Sequence, residues 1–160
     1  MTTYLEMPQF AGRVEGVSTA EMDVRDTGRV DDPGLAPGEI ELLIDGLSDD
    51  VAFVWVLIHL GIRANPPTSP DPPSIADVDS AFSTLKKMTQ RGLVKVGHIE
   101  YLDGGPPGTL APVKHVEDPL PDVKDAVLHA LESGSDWEWS CWVVNTPLGD
   151  ILARTALEGR

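Results

Sequence analysis

Five prolines fall within the nine residues from Asn65 to Pro73, so no regular element can cross this stretch. Each proline removes an amide donor and fixes its own φ, which predicts a stiff, extended surface loop. Elements must therefore form on either side of it. Before it lies the most apolar run of the chain, Val51 to Ile62, preceded by Ser48-Asp49-Asp50 and with Gly61 at its end. A serine N-cap, two carboxylates against the helix N-terminus and a glycine stop predict a helix that is apolar all round and hence central. The Val and Ile content keeps a buried strand as the competing reading. The segment Val51 to Leu60 is about half the length that spans a bilayer, which makes it a core segment.

After the prolines, Ser74 with Asp77 three residues on forms a carboxylate version of the capping box. Ile75, Val78, Phe82, Leu85 and Thr89 recur at helical spacing, with Ala81 and Met88 beside them, and the helix should end near Arg91-Gly92. Leu93 to Leu102 alternates and is β-branched, as a strand does, and Asp103-Gly104-Gly105 turns it. A short return strand over Pro112 to Val116 fits the loop that follows. Asp118 is placed to cap a helix with Val123, Ala126, Val127, Ala130 and Leu131 on its apolar face. Trp137 to Val144 alternates again, putting Trp137, Trp139, Cys141 and Val143 on one face and Trp142 on the other. Thr146 then caps a last helix from Pro147 to about Leu157.

Residues 1–38 are acidic and poor in large apolar side chains, with turn signals at Asp31-Asp32-Pro33-Gly34 and Ala36-Pro37-Gly38. Short strands at residues 13–17 and 22–24 and partial disorder are both open readings. The expected organisation is a partly irregular N-terminal segment, 1–38, and an α+β domain, 39–160, with three to four helices packed on a small antiparallel β-sheet.

Charge bears on function more than on fold. Twelve Lys and Arg against twenty-six Asp and Glu give a net −14. Residues 1–50 hold three basic and twelve acidic side chains, or −9, and residues 51–160 hold nine and fourteen, or −5. Such a field repels nucleic-acid backbones at long range and attracts basic proteins. The single Cys141 leaves no intrachain disulfide and fits a reducing, cytoplasmic setting, and the N-terminal residues do not resemble a secretory leader. No cofactor or metal is expected. His98, Glu100, His115, Glu117 and Asp118 are donors at short spacing, but no HExxH pair or cysteine set accompanies them. His59 inside an apolar run reads as a hydrogen-bonded histidine, and Cys141 between Ser140 and Trp142 reads as buried packing rather than a nucleophile.

The phrase Phe82-Ser-Thr-Leu-Lys-Lys-Met-Thr-Gln-Arg-Gly-Leu-Val-Lys-Val resembles the recognition helix and first wing strand of winged helix-turn-helix proteins of the MarR and PadR kind. Trp142-Val-Val-Asn-Thr-Pro-Leu-Gly-Asp-Ile-Leu resembles their other wing strand and the opening of their last helix. The resemblance covers about residues 74–102 and 137–157 and implies a winged-helix-like core. Two features depart from that family: the prolines leave no room for a helix just before the recognition helix, and about thirty residues, with a helix of their own, separate the wing strands.

Two functional readings follow, with an enzyme of unidentified chemistry as a third. The first is a non-enzymatic interaction domain that binds or neutralises a basic protein partner through its acidic surface, as an immunity-type protein does with a toxin. Its contacts are expected at Trp142, Asp31, Asp32, Asp49 and Asp50, with the proline-rich loop. The second is a DNA-binding regulator, a homodimer using the 74–91 helix with Lys86, Lys87, Arg91 and Lys95 as its cations.

Overall fold

A computed structural model describes residues 34–63, 71–102 and 113–160. These hold five α-helices and four strands: α1 (Pro37–Asp45), β1 (Val51–Ala52), α2 (Phe53–His59), α3 (Ile75–Gln90), β2 (Val94–Tyr101), β3 (Val113–Glu117), α4 (Leu120–Ser133), β4 (Trp142–Asn145) and α5 (Pro147–Glu158). The class is α+β, as expected, with one helix more than anticipated. The sheet is antiparallel throughout, in the order β1-β4-β2-β3. Residues 1–33, with the short strands expected there and Asp31 and Asp32, and most of the proline-rich loop lie outside the described residues.

α3 carries out its sequence instructions. The Ser74 hydroxyl accepts the Asp77 amide at 3.1 Å, and the Asp77 carboxylate accepts the Ser74 amide at 3.0 Å. Gly92, at φ +69°, ends the helix in the left-handed region where a side chain would be strained. The buried stripe runs through Val78, Ala81, Phe82, Leu85 and Met88. Ile75, expected on that stripe, is 69 % exposed, because the first residue of the helix lies beyond the core.

The helix expected over Val51–Ile62 is instead a two-residue strand followed by a shorter helix. Val51 and Ala52 pair with Val143 and Trp142, so a sheet partner distant in sequence overrides the local helical signal. Ser48 and the two aspartates precede a strand, and the Asp50 amide donates to Asp49 Oδ1 at 2.8 Å. The additional helix, α1, begins where a turn was expected at Ala36-Pro37-Gly38. Proline suits the first helical position, and the glycine serves close packing, since a Cβ on Gly38 would sit 2.3 Å from the His59 carbonyl oxygen. His59 Nε2 lies 2.9 Å from Asp45 Oδ2, tying α2 to the end of α1.

The strand expected over Trp137–Val144 begins only at Trp142, and Trp137–Trp139 is a 3-10 turn. β4 pairs with β2 from Val94↔Asn145 to Gly97↔Trp142, and beyond Gly97 the next partner of β2 on that side is missing from the ladder. Trp137 enters the core, edge-on to Phe53 at 6.4 Å, while Phe53 and Phe82 lie 5.6 Å apart. Cys141 is fully buried, and burial pushes its thiol far above the ordinary value, which suits packing and not nucleophilic attack. Asp118 does not cap α4, whose N-cap is Pro119; its carboxylate is held by His98 instead. Thr146 does cap α5, accepting the Gly149 amide at 3.1 Å. Among the described residues no helix is long and apolar enough to cross a membrane.

Candidate partner-binding face

Strand pleating sorts the sheet into two faces. Val51, Val94, Val96 and Val143 are buried on the side of α2, α3 and α4. Their neighbours in sequence point the other way: Trp142 and Val144 of β4, Lys95, Ile99 and Tyr101 of β2, and Val113 and His115 of β3. All of these are half-buried or exposed among the described residues.

On this face Trp139 stacks on Trp142, with ring centroids 5.7 Å apart and planes inclined by 29°. The Trp142 indole N–H donates to the Trp139 carbonyl at 2.9 Å, so one side chain both supports and ties down the turn that carries the other. Trp139 is nevertheless 54 % exposed. A rigid pair of rings with one face open is a large contact surface that loses little side-chain entropy when covered. Ring faces also attract cations, and guanidinium groups stack on them well.

Carboxylates lie close by. The β1–β4 pairing brings Asp49 and Asp50, at the head of β1, to the strand that bears Trp142. His115 Nε2 donates to the Trp142 carbonyl at 3.2 Å, and the same imidazole acts electrostatically on Asp50. Burial raises the Asp50 pKa from its ordinary value; His115 opposes this and Asp49 adds to it. Of the partner-binding candidates among the described residues, the fold thus gathers Asp49, Asp50 and Trp142 in one neighbourhood. Trp139 is the residue that alternation missed. Reading 137–144 as a strand sends Trp137 and Trp139 to the same side, whereas in a 3-10 turn residues two apart point about 120° apart. Ser135, Asp136 and Ser140, all turn-formers, flank the pair and carried the signal.

The basic candidates do not form one patch. Lys86 and Lys87 are exposed in the last turns of α3, and Arg91 is its C-cap. Lys95 is on the opposite face of the sheet from α3, 3.7 Å from Glu117. α4 lies alongside α3, and Lys124 of α4 reaches Asp79 at 2.6 Å.

On the helical side, His98 Nδ1 lies 2.5 Å from Asp118 Oδ2 and its Nε2 is 3.4 Å from Glu100 Oε1. The bond to Asp118 raises the His98 pKa above its ordinary 6.5, Glu100 adds to this, and desolvation opposes it. Among the described residues no group of His, Cys, Asp and Glu is arranged to hold a metal ion. Compared with known proteins, the chain matches no family model, no curated protein and no solved structure.

Proposed function

We propose that this chain is a non-enzymatic interaction domain that binds a basic protein partner, with the Trp139–Trp142 pair as the anchor of the contact. The observation that carries the reading is a stacked, hydrogen-bonded tryptophan pair left open on a chain of net charge −14. Aromatic anchors at the centre of an interface supply most of its binding energy, and surrounding charge supplies encounter rate and selectivity. Arginine side chains of the partner would stack on Trp139 while Asp49 and Asp50 draw them in. Neutralisation of a toxic basic protein is one use of such a face.

For the core we propose a winged-helix-like ancestry. Two helices, α1 and α2, with β1 between them, precede α3, and β4 lies between β1 and β2. That order supports a three-stranded wing sheet into which β3 and α4 are inserted. α2 supplies the helix for which the sequence left no room, because the helix expected over Val51–Ile62 divides into β1 and α2, and the additional helix α1 takes the place of the first helix.

The same order favours a second reading, DNA binding through α3 with Lys86, Lys87 and Arg91. Against it, α4 beside α3 carries Asp122, Asp125 and Glu132 with Lys124 as its one lysine, and a phosphate backbone approaching α3 meets that neighbour too. The discriminating experiment titrates the protein with random duplex DNA and, separately, with an arginine-rich peptide, at low and physiological salt. The first reading expects peptide binding that weakens with salt and no duplex binding. Duplex binding that is lost in Lys86→Ala/Lys87→Ala, with no peptide binding, would establish the second.

A further inference from the structure

A groove of about 550 Å³ runs between α3 and the first turn of α4. Its apolar lining is Phe82 from α3 and Leu120 and Pro121 from α4, and its charged lining is Lys86, Lys124 and Asp79. Two ammonium groups against one carboxylate leave +1 on these walls, in a chain whose total is −14. Lys124 is held by Asp79 at 2.6 Å, and Lys86 makes no salt bridge among the described residues. Small-molecule sites are concave, mostly apolar, a few hundred Å³ in volume, and oriented by a few charged groups.

We infer that this groove binds a small organic monoanion with an apolar body. The body lies on Phe82, Leu120 and Pro121, and the anionic head bridges Lys86 and Lys124. Asp79 sets the sign and size of the preference: it cancels one lysine, so a single negative charge neutralises the lining and a dianion exceeds it. The site is separate from the tryptophan face and does not depend on the partner reading, since α3 and α4 pack on the other side of the sheet.

The test uses the full chain and two dyes of similar shape, anilinonaphthalene sulfonate and the uncharged phenylnaphthylamine, followed by fluorescence and by competition with decanoate. The expected result is saturable binding of one sulfonate per chain, displaced by decanoate and weakened about tenfold by Lys86→Met or Lys124→Met. Trp139→Ala leaves it unchanged, and the uncharged dye binds at least tenfold more weakly. Asp79→Asn raises the lining to +2 and should tighten sulfonate binding severalfold at an unchanged one dye per chain, with decanoate competing more tightly and near-UV circular dichroism like the parent's, which separates the gain from dye uptake by a loosened fold. Absence of saturable sulfonate binding, equal binding of the two dyes, or indifference to both lysine substitutions would overturn the inference.

Discussion

The cost of removing a tryptophan depends on what its ring displaces. Trp137 is 5 % exposed, packed edge-on against Phe53 with the Arg63 guanidinium 5.5 Å from its ring centre. Trp137→Ala leaves a core cavity and should destabilise the fold by about 3–5 kcal/mol. Trp139, two residues on, stacks on Trp142 and is more than half exposed, and Trp139→Ala should change stability by no more than about 1 kcal/mol. Urea denaturation of the two variants checks the contrast, and equal losses would place Trp139 in the core. A second residue-scale prediction concerns His98. Its folded pKa is raised, so the stability it contributes is fully present below pH 6.5 and lost as pH rises through the folded value. His98→Gln should therefore lower Tm at pH 5 to 6 and approach the parent above neutrality; a gap that does not change with pH would show that protonation of His98 plays no part.

At the scale of elements, the junctions are the sensitive points. A Cβ on Gly97 would fall 1.7 Å from the Val116 carbonyl oxygen, so β2 and β3 approach as closely as they do only with glycine there. Gly97→Ala should separate the β3 edge, and hydrogen exchange should show β3 amides losing protection before those of β4. The Thr146 hydroxyl links α5 to the end of α3, within 2.6 Å of the Gly92 carbonyl oxygen as well as capping its own helix. Thr146→Ala should cost about 1–2 kcal/mol. Elements whose signals are local were legible in the sequence: the capping box of α3, its glycine stop, β2, the threonine-proline start of α5. Elements that depend on a distant partner were not. Val51-Ala52 looks helical until Val143 and Trp142 are set beside it, and α1 looks like a turn until His59 requires a glycine at 38. The site divides the same way, since Trp142 stood out by its residue type while Trp139 was misassigned by a periodicity that a turn breaks.

At the scale of the whole molecule, charge and aromatic surface act together. The excess of acidic groups speeds encounter with a cationic partner and is screened by salt, whereas the tryptophan pair acts over contact distance and is not. Any polycation will feel the charge, so selectivity for one face has to come from Trp139. The most direct measurement is the affinity of an arginine-rich peptide at physiological salt for the parent, for Trp139→Ala and for Asp49→Asn/Asp50→Asn, followed by calorimetry. The account predicts that Trp139→Ala weakens binding by about thirty-fold, the roughly 2 kcal/mol of an aromatic hot spot, with a salt dependence like the parent's, and that the double asparagine variant lowers affinity mainly at low salt. Affinity unchanged by Trp139→Ala would contradict it, and would leave the binding to diffuse charge alone.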